Sequence, residues 1–105
     1  MRAQILSAFL VLSAVPALAA GDPDAARGLV VEHCADCHAV PGYDESPPAT
    51  GLEAPAFQAI ADDSAVDTEE RIRAFLEKPH WPMTGFILSP SDIDNIIAYL
   101  ATLRQ

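Results

Sequence analysis

Positive charge is scarce in this chain. Its 105 residues include one lysine, Lys78, and five arginines against fifteen Asp and Glu, a formal net charge of −9 with the histidines neutral. A balance of that sign argues against nucleic acid and anionic membrane surfaces as partners. Cysteine is almost as rare. Cys34 and Cys37 have no second pair to complete a four-ligand zinc site, and only His33 and His80 are left over to try. Strand patterning is missing as well: no apolar alternation runs longer than four residues, and there is no internal repeat or low-complexity segment. A long uninterrupted apolar run is also lacking. Arg2 precedes an apolar stretch from Ile5 to Leu12 softened by Ser7, Pro16 interrupts the segment beyond it, and Ala17-Leu18-Ala19 is a small-x-small cleavage pattern. This reads as an export signal over residues 1–19, removed after Ala19. The competing reading, an uncleaved membrane anchor, would want about 20 predominantly apolar residues. Cleavage leaves residues 20–105 as one small domain of 86 residues, with five basic residues against fifteen acidic, a net −10.

What is present is concentrated in Cys34-Ala35-Asp36-Cys37-His38. Two thiols three positions apart, with an imidazole directly behind them, have the spacing for haem attachment. Each thiol adds across one vinyl group of the porphyrin, and the imidazole reaches the iron from below the ring. A thioredoxin-like couple would instead want a βαβ setting, whereas the residues before Cys34 read as helix and those after His38 as a Pro/Gly loop. A bare disulfide between the two cysteines is the plain alternative in a small exported chain. A covalently held porphyrin would also supply the apolar centre that a chain this short has difficulty building.

The helices can be placed from their caps. Asp22 caps, Pro23 takes the first helical position, and a helix runs to about the first cysteine with Ala26, Leu29, Val30 and His33 at helical spacing. Gly28 is either a tolerated surface glycine or a place where another helix comes close. From Ala39 to Pro55 the chain holds Pro41, Gly42, Pro47, Pro48, Gly51 and Pro55 and reads as a long loop, of a length suited to wrapping a large flat cofactor. Phe57 and Ile60 come next on a short helical turn, pointing inward. Another helix is expected near Asp67, with Asp67 as cap, Glu70 three residues on and Ile72, Phe75 and Leu76 as its buried stripe, ending by Lys78 ahead of Pro79. Ser89-Pro90-Ser91-Asp92 opens the last helix, whose apolar face is Ile93, Ile96, Ile97, Leu100 and Leu103, with Tyr99 beside it and Arg104 at its end.

Between those last two helices, proline-stiffened and irregular, lies Met83, the one methionine left once the leader is removed. A thioether is a soft ligand that favours ferrous iron and raises the potential, which makes Met83 the first choice for the iron's other face. His80 is its rival and would lower the potential. His33 is expected to face solvent.

Together these residues resemble a small bacterial class I c-type cytochrome over essentially the whole mature region. Cys34 to His38 match the haem-attachment motif, His80-Trp81-Pro82-Met83-Thr84-Gly85-Phe86 resembles the methionine-bearing loop, and Asn95 to Leu100 resemble the C-terminal helix. The resemblance implies an all-α fold of three to four helices around one covalently attached haem c, with His38 and Met83 on the iron. It implies that the first and last helices cross at small residues, Ala26 or Gly28 against Ile96 and Tyr99. It implies too that a proline carbonyl, Pro55 first and Pro47 in reserve, accepts a hydrogen bond from His38. Leu52, Phe57, Trp81 and Phe86 are expected along the cofactor wall, each more safely read as core than as cofactor contact. The function implied is one-electron transfer in the periplasm, without substrate turnover. The chain departs from the lysine-ringed carriers of the family, so its redox partners are expected to bring a basic docking face of their own. Two further readings stand beside this one: a haem subunit bound tightly to a dehydrogenase, and a haem sensor or gas-binding protein with a displaceable sixth ligand.

Overall fold

A computed structural model describes residues 21–45 and 54–105. The leader, with its cleavage site, and Pro47, Pro48, Gly51 and Leu52 lie outside the described residues. Among the described residues four α-helices run in order, α1 (Pro23–His33), α2 (Phe57–Asp62), α3 (Glu69–Glu77) and α4 (Pro90–Leu103), with one 3₁₀ turn, Met83–Gly85, between α3 and α4. Among the described residues there is no strand, only an isolated antiparallel bridge between Val40 and Asp44. The fold is all-α. None of the described helices is long and apolar enough to cross a membrane.

Local chemistry sets most of the boundaries. Asp22 Oδ1 accepts from the Asp24 N–H at 2.9 Å, and Pro23 occupies the first turn, where its missing N–H is not needed. Ser89 Oγ accepts from the Asp92 N–H at 3.1 Å while an Asp92 carboxylate oxygen accepts from the Ser89 N–H at 3.0 Å. Such a reciprocal box satisfies two orphan donors, and caps of this kind stabilise by about 1 kcal/mol. α3 starts one residue later than its sequence suggests. Thr68 is the cap, accepting from the Arg71 N–H at 3.2 Å. Asp67 is instead buried, 8% exposed, with its carboxylate held by the Arg104 guanidinium from beyond the end of α4. A carboxylate turned toward that cation cannot also face the first N–H groups of α3.

α4 is the centre of the packing and touches each of the other three helices. Ala26 and Val30 of α1 lie against a core that includes Ile96, Tyr99 and Leu100 of α4, Val40, Phe57, Ala61 and Ile72. Each large aliphatic removed from water there contributes roughly 1.5–3 kcal/mol. Of the two small residues expected at the α1–α4 crossing, Ala26 is the buried one, 1% exposed. Gly28 faces solvent, with nothing within 4 Å of where a Cβ would stand. The close backbone approach is made by Gly21, whose Cβ would stand on the carbonyl oxygen of Asp94; next to it the Asp22 N–H donates to Asn95 Oδ1 at 2.8 Å.

α3 buries less than its periodicity promises. Ile72 is buried and Leu76 half-buried, four residues apart on one line, but Phe75 is 38% exposed and turns toward His80. Arg73 joins α3 to α4 through Asp94 at 2.6 Å. α2 is tied to the far end of α4, because Gln58 Nε2 donates to the Leu103 carbonyl at 2.5 Å and to Asp62 at 3.0 Å, and the Gln105 N–H donates to Asp62 at 3.0 Å. α2 is thereby held at both ends of its six residues, which matters because Phe57 opens it.

Candidate functional site

α1 does not simply stop at the first cysteine. Cys34 caps it in a helical conformation, its N–H bonded to the Val30 carbonyl at 2.8 Å. Its own carbonyl then accepts from the Cys37 N–H at 3.1 Å and the His38 N–H at 2.9 Å. One further helical turn is closed, so Cys34, Cys37 and His38 stand three and four positions apart on one side of it. Both cysteines are free thiols, not a disulfide. Burial, with a smaller push from Cys37, raises the Cys34 thiol to about 11, so it is protonated at neutral pH. Redox-active dithiol motifs run the opposite way, toward a stabilised thiolate. Among the described residues no group of three or more His, Cys, Asp and Glu is arranged to hold a metal ion.

His38 is fixed from two directions. Its Nδ1 lies 2.5 Å from the Pro55 carbonyl oxygen. A carbonyl only accepts, so Nδ1 carries the proton and Nε2 keeps its lone pair. The ring also stands edge-on to Phe57, centroids 5.4 Å apart and planes at 80°, and Phe57 leans in turn on Tyr99 at 6.0 Å. Backbone closes the arrangement where the Phe57 N–H donates to the Ala39 carbonyl at 3.0 Å. Behind His38 the chain reverses in a tight turn, with Val40 and Asp44 exchanging hydrogen bonds at 2.7 and 3.2 Å around Gly42, whose φ of 73° belongs to the left-handed region that suits glycine. That turn buries Val40 completely.

The methionine segment is built differently. Met83 is half-buried at the head of the 3₁₀ turn, its N–H bonded to the His80 carbonyl at 2.8 Å, and its own carbonyl accepts from the Phe86 N–H at 3.1 Å. Two aromatic edges connect the segment to the helices: His80 with Phe75 of α3, centroids 5.0 Å apart, and Phe86 with His33 of α1 at 6.4 Å. The second brings the segment back to the residue that precedes Cys34. His33 is exposed, as its sequence position suggests, with Glu32 alongside at 3.8 Å. Trp81 and Phe86 are not core: Trp81 is 73% exposed and Phe86 lies at the surface with Ile87. Among the described wall residues Phe57 alone is buried, and it meets His38. Leu52 falls outside the described residues.

The donor set suits a haem. Two half-exposed thiols on one turn, an imidazole presenting Nε2 and a single thioether on the segment that returns to α1 supply every protein group that covalent attachment and six-coordination require. Pro55 and Phe57, which hold the imidazole, gave only weak signals in the sequence. Gly21 and the Asp67–Arg104 pair gave none that periodicity or capping rules would register.

A family model described as cytochrome c matches residues 24–104. Neither the curated proteins nor the solved structures offer a match. The matched span runs from the first turn of α1 through the Cys34–His38 turn and the Met83 segment to Arg104, just past α4, and over that span the chain belongs to the cytochrome c family, whose members transfer electrons through haem c.

Proposed function

We propose that the chain is a periplasmic one-electron carrier. In this reading residues 1–19 would direct export and be removed, Cys34 and Cys37 would hold the porphyrin through two thioethers, and His38 and Met83 would ligate its iron. When bound, the haem supplies the one-electron chemistry, its iron alternating between ferric and ferrous states. The polypeptide's part is to fix ligands and admit partners. Pro55 holds the proton on His38 Nδ1 and so keeps Nε2 available and basic, while Phe57 restricts rotation of the ring. A Met83 thioether on the iron would favour the ferrous state and would leave no open position for a small-molecule substrate.

The observation that carries this reading is the His38–Pro55 hydrogen bond at 2.5 Å, which sets the tautomer a metal-ligating imidazole needs immediately behind two free thiols. The partner is argued from charge. With one lysine and fifteen acidic residues, the protein suits a donor and acceptor that present arginines or lysines, and complementary charge would chiefly speed their encounter.

The test is spectroscopic. An alkaline pyridine spectrum of the purified protein should show a haem with both vinyl groups saturated, and the ferric protein should show the weak band at the red end that marks methionine sulfur on iron. A high-spin ferric spectrum without that band, with azide binding readily, would replace the carrier reading with a sensor or gas-binding one. Size exclusion of native material should give a species of about the chain's own mass, since a larger one would indicate a bound relay subunit.

A further inference from the structure

His80 and Met83 share one turn. The Met83 N–H to His80 carbonyl bond at 2.8 Å closes a four-residue reversal, which places the two Cα atoms within about 7 Å of each other. His80 is exposed and Met83 half-buried, so the thioether is the more enclosed of two iron-binding side chains carried by the same reversal. The imidazole is also set for coordination. His80 Nδ1 lies 2.6 Å from the Trp81 carbonyl oxygen, an acceptor only, so Nδ1 carries the proton and Nε2 keeps its lone pair. This repeats the arrangement that Pro55 imposes on His38, with the difference that donor and acceptor are adjacent in the chain and can move together. Outside its own segment His80 meets the edge of Phe75, itself 38% exposed, so this is a surface interaction. His33, the other exposed imidazole, stands on α1 beside Glu32 and Phe86 and shares no turn with Met83.

We propose that His80 is the reserve axial ligand: when the Met83 thioether leaves the iron, His80 Nε2 takes its place, so the iron stays six-coordinate and closed to small molecules, at a lower potential. This rests on His38 and Met83 being the native axial pair.

The test uses full-length protein loaded with haem in a host that attaches it. Ferric Met83→Ala should lose the red-end band yet remain low-spin with the spectrum of two nitrogen ligands. Met83→Ala/His80→Ala should be high-spin and bind azide at least tenfold more tightly than Met83→Ala. Met83→Ala/His33→Ala should stay low-spin, and His80→Ala alone should keep the red-end band. A high-spin Met83→Ala protein, or a low-spin Met83→Ala/His80→Ala protein, overturns the proposal while leaving Met83 as the native ligand. Persistence of the red-end band in Met83→Ala overturns the ligation reading itself, and the proposal with it. Should Met83→Ala fail to load, carboxymethylation of the Met83 thioether with iodoacetate in loaded wild-type and His80→Ala protein makes the same comparison: low-spin in the first and high-spin in the second is expected, and high-spin in both overturns the proposal.

Discussion

The two sides of the candidate site are built by different means. His38 is held by contacts that reach across the fold: Pro55, seventeen residues on, accepts from its ring, Phe57 stands against it, and Phe57 rests on Tyr99 in the middle of α4. Met83 is held by bonds within its own segment, from His80 to Met83 and from Met83 to Phe86, with two aromatic edges as outward ties. The first arrangement cannot change without moving α2 and α4. The second can change within a few residues. On the proposed reading, a carrier that keeps one ligand fixed while tuning the other would be well served by that asymmetry, because local segments open at smaller free-energy cost than the packed core does.

The asymmetry can be broken altogether at the attachment turn. Replacing Cys34 and Cys37 with alanine should leave no covalent haem on the polypeptide after acid-acetone extraction. Ile96→Ala and Ile87→Ala sharpen the contrast. Ile96 is buried in α4, and truncating it should cost about 2–5 kcal/mol in denaturant unfolding of the loaded protein. Ile87, 96% exposed beyond the Met83 turn, should change stability by no more than about 0.5 kcal/mol. Equal costs at the two positions would mean that the methionine segment is as firmly packed as the His38 side.

Smaller effects are expected at the glycines, and with opposite signs. A Cβ at Gly21 meets the backbone of Asp94, which cannot swing aside as a side chain would, so Gly21→Ala should destabilise by about 1–3 kcal/mol and loosen the Asp22–Asn95 bond. Gly28→Ala, with open space around it inside α1, should stabilise by about 0.4–1 kcal/mol in the same unfolding experiment. A stabilising Gly21→Ala would remove the close approach from the account of how α1 seats on α4.

Much of the helical frame was legible because its causes are local. Asp22-Pro23 and Ser89-Pro90 with Asp92 act within one turn, and the spacing of Ile93, Ile96 and Leu100 comes from the helical repeat. Asp67 misled for the complementary reason. Its position ahead of Glu69 suits a cap, but the group that claims it, Arg104, is thirty-seven residues away. Phe75 has the right spacing for a buried stripe and still lies at the surface, since a short helix packed along one line leaves its i+3 position at the edge.

What the sequence determined by itself is the chemistry that fits in a few consecutive residues: two thiols and an imidazole on one turn, Met83 between prolines, the helix starts, the acidic balance. Hydrogen bonds and periodicities of that range are settled by neighbours in the chain. Only the tertiary structure decided which proline faces His38, that Gly21 rather than Gly28 lets α1 approach α4, and that Asp67 belongs to the end of α4. Those contacts join residues 17, 73 and 37 positions apart. At such separations the partner is chosen by how the helices pack as a whole, and no short stretch of sequence contains that information.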